Sequence, residues 1–191
     1  MNGSNIPLQA GSYGIQGVPS PFNQPGARGY GSPGWTDEHG DFWLFGGYGY
    51  DAIGAYGNLN VLWKYDVSTG EWTWMSGSSF VNAAGVYGTQ TIPDPANYPR
   101  SRCESSASWL DSQNNLWFFG GNYLYAGGYY DLNDLWRFNR STNEWTWMKG
   151  SSGFNQTGIY GTLGVPDSNN TPSAMNPGTN SLQLPAYADP G

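Results

Sequence analysis

One histidine, one cysteine and fourteen carboxylates are the groups through which this chain could do acid–base, nucleophilic or metal chemistry. His39 lies in the polar turn Glu38-His39-Gly40. Any serine or cysteine triad would have to recruit it, and no serine sits in a Gly-x-Ser-x-Gly elbow. Residues 29–34, Gly-Tyr-Gly-Ser-Pro-Gly, match G-x-G-x-x-G in letters only. They lack the preceding strand and following helix that make that motif a phosphate site. No Asp-x-Asp-x-Asp-Gly calcium loop is present. Asp51 and Asp131, each after a double glycine, are the candidates for a carbonyl-rich ion site. A lone cysteine, Cys103, forms no intrachain disulfide and no thiolate metal cluster. The expectation is a non-enzyme without metal or cofactor.

The aromatics are the chain's distinctive resource. They make up 17% of residues, while charged residues are only 11%. The latter is less than half of the roughly 25% usual in soluble domains. Twenty-nine glycines and thirteen prolines push the composition toward disorder, but buried Trp, Tyr and Phe bring enough area to favour an ordered, turn-rich β protein. A net charge of −7 disfavours nucleic acid and anionic membranes as partners. No run approaches the ~18 apolar residues of a spanning helix, so no membrane insertion is expected. Four Asn-x-Ser/Thr triplets, at Asn2, Asn139, Asn155 and Asn169, are candidate N-glycosylation sites. With the low lysine content they fit an extracellular or cell-surface protein, although no signal peptide is visible.

The elements behind these residues are set by a repeat. Trp35 and Trp43 recur 74 residues on, as Trp109 and Trp117. Trp63, Trp72 and Trp74 recur at 73, as Trp136, Trp145 and Trp147. A fixed period of this kind must be settled before any fold is assigned. It also gives each residue an internal control: His39 is answered by Gln113 and Cys103 by Gly29, so neither position requires its reactive group. Met1, Met75 and Met148 stand in register at the copy starts.

Each copy reads as a connector followed by four short strands. Residues 1–28, 78–102 and the start of 151–191 are connectors rich in Gly, Ser, Asn and Pro, each with a Tyr-Gly pair, and they read as loops. Residues 29–77 and 103–150 hold the strands. The first is expected at 29–37 and 103–111; the second is DFWLFGG at 41–47 and NLWFFGG at 115–121. The third is VLWKYD at 61–66 and DLWRFN at 134–139; the fourth is EWTWM at 71–75 and 144–148. The second strand is apolar without alternation, as when both faces are covered, whereas the fourth alternates with period two. Between second and third strands lie tyrosine-rich loops, with Tyr48, Tyr50 and Tyr56 in one copy and Tyr123, Tyr125, Tyr129 and Tyr130 in the other. Their rings could stack on glycans or proline-rich peptides, or pack over the blade edge.

An apolar strand ending in Phe-Gly-Gly, then Leu-Trp-Lys-Tyr-Asp, a short turn and Glu-Trp, resembles the kelch repeat in its Trp-rich form with long connectors, as in secreted and surface proteins. The likeness covers residues 29–77 and 103–150. It implies an all-β fold of two four-stranded antiparallel propeller blades, an incomplete propeller or part of a larger one, with a binding or scaffolding role. Copper oxidases on such propellers need several His and Tyr ligands and a Cys–Tyr crosslink, which one His and one Cys cannot supply.

Propellers hold four to eight blades, and this chain encodes two. An isolated pair would leave indole-rich faces in water, costing several kcal/mol at ~25 cal/mol per Å². The ten tryptophans are therefore expected to carry blade packing, and the partners to be other copies of the chain or further blades, with glycans as an alternative ligand. Residues 181–184, Ser-Leu-Gln-Leu, could add a strand to a neighbouring sheet edge.

Overall fold

A computed structural model describes residues 5–174. The tail strand expected at 181–184 and the triplet at Asn2 lie outside the described residues. Eleven strands and no helix are found among those residues. The first sheet is built from β1 (Gly34–Thr36), β2 (Phe42–Phe45), β5 (Leu62–Asp66) and β6 (Glu71–Ser76), in the order β1-β2-β5-β6. The second is built from β7 (Cys103–Leu110), β8 (Leu116–Tyr125), β10 (Leu135–Asn139) and β11 (Glu144–Lys149), in the order β7-β8-β10-β11. Every pairing is antiparallel, and the registers repeat: Trp35 faces Trp43 as Trp109 faces Trp117.

Local chemistry explains the repetition. Asp37 starts the β1–β2 turn: its Oδ1 accepts from the His39 and Asp41 amides, and its Oδ2 from Trp43 Nε1 at 2.9 Å. Asp111 does the same for Gln113, Asn115 and Trp117. One carboxylate thus closes a turn and fixes an indole six residues on. Asp66 and Asn139 close the next turns by accepting from the two following turn amides.

The double glycines need to be glycine. Gly46 and Gly47 have φ of 65° and 95°, and Gly120 and Gly121 have 69° and 99°. A Cβ on Gly46 would lie 2.8 Å from the Arg102 carbonyl oxygen, and one on Gly47 only 2.2 Å from Ser32 Oγ.

Two features differ from the sequence reading, and a third extends it. The first strand of copy one is cut to Gly34–Thr36, because two prolines and three glycines precede it in residues 25–33. The tyrosine segments are hairpins rather than loops. β3 (Tyr48–Tyr50) pairs with β4 (Tyr56–Asn58), while β8 runs through its double glycine to pair with β9 (Gly128–Asp131). Finally, the connectors are ordered in a common way. Bridges Ser12↔Gln24, Val86↔Tyr98 and Ile159↔Thr171 recur at the repeat spacing.

The two sheets stack face to face. The forward face of the first, Trp35, Trp43, Phe45 and Leu62, meets the rear face of the second, Leu116, Phe118, Trp136, Phe138 and Trp145, in one buried cluster. Phe45 stacks on Phe118 at 4.9 Å between ring centroids. The faces in contact are not repeat equivalents, because forward meets rear. The first two connectors lay their tyrosines over the rear of a sheet: Tyr13 against Trp63 and Trp74, Tyr87 against Trp136 and Trp147.

Candidate functional site

The reactive groups are dispersed. His39 exposes 71% of its side chain on the β1–β2 turn, 3.6 Å from Glu38. Cys103 is buried between Asn58 and Asn122, to whose Oδ1 atoms its thiol donates; burial pushes the thiol up to about 12. A thiol so held supplies no thiolate at neutral pH. Asp51 is spent on structure, accepting from the amides of Ile53, Ala55 and Val81. Asp131 is raised by burial and lies apart from it in the second hairpin. Among the described residues, no group of three His, Cys, Asp or Glu side chains could hold a metal. No helix among the described residues is long and apolar enough to cross a membrane. Residues 29–34 run into β1 with no helix behind them.

The tyrosine hairpins, in contrast, come together. Asn58 of β4 donates to the Leu124 carbonyl and accepts from the Leu124 amide, fastening the first hairpin to the second. Tyr56 lies against Tyr48 and Tyr50, both at 4.7 Å. Tyr123 and Tyr130 close on Phe154, whose ring also takes the Arg100 guanidinium at 4.7 Å. Tyr48, Tyr50 and Tyr123 are half-buried and hold the hairpins, whereas Tyr56, Tyr125, Tyr129 and Tyr130 are exposed. Of the glycosylation candidates, Asn155 and Asn169 are exposed and Asn139 half-buried. Asn155 Oδ1 accepts from the Asp131 amide and Asn139 Oδ1 from turn amides, so both side chains are engaged.

The tryptophans divide by seam. Where the sheets meet, Trp35 is buried and donates its indole N–H to the carbonyls of Trp109 and Trp117, at 3.0 and 3.2 Å. A charge clamp closes the rim: Arg140 reaches Glu38 at 2.6 Å and Asp37 at 3.2 Å, and its guanidinium lies over the Trp43 ring. The hydrogen bond from Arg140 holds the Glu38 carboxyl down at about 2. On the outer faces the equivalent residues are uncovered. Trp109 is 42% exposed against 7% for Trp35, and Phe42 49% against 0% for Leu116.

Inside the second sheet lies a network that sequence reasoning missed. Asp134 takes both guanidinium nitrogens of Arg102, the Tyr87 hydroxyl and the Trp136 indole, all within 2.6–2.8 Å. Burial alone would lower Arg102, but the Asp134 carboxylate outweighs it and raises it. In the first sheet the Asp134 position is Val61. There Arg28 Nη2, Tyr13 Oη and Trp63 Nε1, the three equivalent donors, are buried without a hydrogen-bond partner. Burial lowers the Arg28 guanidinium to about 10. The signal available in the sequence was the recurring Arg28 and Arg102, with an acid at only one of the two matching positions.

Comparison with known proteins finds neither a family model nor a curated protein that matches the chain.

Proposed function

We propose that this chain is a non-catalytic structural and interaction module. Its kelch-type blades assemble with other blades or other copies in an extracellular or surface setting. The observation that carries this reading is the contrast between the seams. Of the seven aromatics buried where the two sheets meet, six have an equivalent that is less buried on an outer face; the exception is Trp136, whose equivalent Trp63 is covered by Tyr13. Tyr160 of the third connector extends the pattern, for it is 72% exposed where Tyr13 is 6%. The scattered reactive groups and the spent carboxylates support a role without chemistry. The test is the mass of the intact chain in solution across micromolar concentrations. Species of two or more chains are expected; a folded monomer that stays monomeric would overturn the reading.

A second reading, glycan binding, is favoured by the joined tyrosine hairpins with Tyr56, Tyr125, Tyr129 and Tyr130 exposed along one edge. Binding on a glycan array that is lost in Tyr56→Ala and Tyr125→Ala would support it. Absence of binding at high protein concentration would remove it.

A further inference from the structure

The inner seam is a template for the outer one, because a repeat that packs forward face on rear face leaves one unused face of each kind. On the second sheet the open forward face is Trp109, Trp117, Phe119 and Leu135, equivalent to the buried Trp35, Trp43, Phe45 and Leu62. On the first sheet the open rear face is Phe42, Leu44, Tyr65 and Trp72, equivalent to the buried Leu116, Phe118, Phe138 and Trp145. All four members of each open face are less buried than their counterparts in the seam. The rear face also holds a groove of about 400 Å³ between Thr36, Phe42, Leu44 and Trp72. Its equivalent on the second sheet is the place filled by the Trp35 indole.

We propose that a second copy of this chain docks forward face to rear face. Trp109 of one copy seats in the groove between Phe42, Leu44 and Trp72 of the other, and donates its N–H to the Trp35 and Trp43 carbonyls. This rests on the module reading above and names its partner and register. Trp109 and Trp117 stack on each other at 5.8 Å with planes 14° apart. Among the described residues the Trp109 N–H has no acceptor, while Trp35 at the same position has two. The contact is heterologous, so it propagates into rings or filaments rather than closing a two-fold dimer.

The outer seam differs from the inner one in two ways. Its charge clamp is missing: Arg140 is replaced by Val67 and Glu38 by Ser112, although Asp111 stands where Asp37 does. Association is therefore driven by apolar burial and is insensitive to salt. The third connector also occupies the place that the second copy's Tyr13 connector brings with it. Residues 158–170 hydrogen-bond mainly among themselves, apart from Lys149 Nζ to Ser168, and Leu163 is fully exposed. The Tyr13 connector is the better anchored, since Gly17 and Asn23 bond the Trp74 and Trp72 carbonyls. The third connector yields.

Two exposed turn positions test the register, because Glu38 and Arg140 touch at the inner seam. Full-length Ser112→Cys and Val67→Cys chains are mixed and treated with a short bis-maleimide, Cys103 being buried. Cross-linked dimer is expected from the mixture and not from either variant alone. Trp109→Ala should weaken association at least tenfold and Trp109→Phe less. Val67→Arg, placed beside Asp111, should tighten it in a salt-dependent manner. Assembled protein that gives no mixed product, or gives equal product from one variant alone, overturns this seam and leaves the module reading standing. Protein that is monomeric throughout overturns both, and a Trp109 shielded within that monomer would assign the face to residues 175–191.

Discussion

Val61→Asp should stabilise the first sheet, an unusual expectation for a charge placed at a fully buried position. The second sheet supplies the blueprint. Asp134 receives Arg102, Tyr87 and Trp136, and removing it would orphan all three. In the first sheet that removal has already happened, with Arg28 Nη2, Tyr13 Oη and Trp63 Nε1 left buried and unpaired. The rest of the frame is intact: Arg28 still donates to the Gly46 carbonyl at 2.8 Å, as Arg102 donates to that of Gly120 at 2.8 Å. An unpaired buried donor costs about 1–3 kcal/mol, so three are worth roughly 6 kcal/mol at mid-range. Against this stand the desolvation of the new carboxylate, about 3 kcal/mol once relaxation is allowed, and ~1.5 kcal/mol of lost valine burial. The net gain is about 1–2 kcal/mol. Asp134→Val should cost about 3–5 kcal/mol, because it strands a buried guanidinium. Urea unfolding followed by tryptophan fluorescence reads both, with unchanged far-UV circular dichroism as the control for fold. A lower midpoint for Val61→Asp, together with a neutral Asp134→Val, would refute the equivalence of the two networks and the cost assigned to the orphaned donors.

Two further perturbations address the inner seam. Trp35→Phe keeps most of the ring but removes the N–H that reaches Trp109 and Trp117, so unfolding in urea should show a loss of about 1–2 kcal/mol. Glu38 has its carboxyl held at about 2, below the ordinary 4.5, so its clamp to Arg140 stabilises the fold fully above pH 4.5. That contribution is lost as pH falls toward 2. Glu38→Gln should lack this part of the acid dependence. Thermal midpoints of wild type and variant should converge between pH 4.5 and 2, and parallel curves would show that the clamp carries no proton linkage.

The repeat, the strands and the turns were legible in the sequence because each is governed by neighbours along the chain. Trp72 and Trp74 alternate with Thr73 as β6 requires, and the double glycines mark positions where φ is positive. Asp37 and Asp111, six residues before a tryptophan, were a readable turn signal that went unused. The tyrosine hairpins were harder, since β3 and β4 are three residues each. Their pairing is held by partners distant in sequence: Asn58 by Leu124, and Gly49 by Arg28 across a bridge.

The amino-acid order by itself therefore determined that this is a twice-written, aromatic-rich all-β chain. Periodicity and turn chemistry act over a few residues and survive without a partner. Only the tertiary structure decided that Trp43 and Phe45 look forward onto Leu116 and Phe118. The same is true of the connector tyrosines, which roof the rear of each sheet, and of Asp134, which gathers donors that Val61 cannot. Those outcomes depend on which of two apolar faces meets which, a choice between surfaces far apart in sequence and alike in composition.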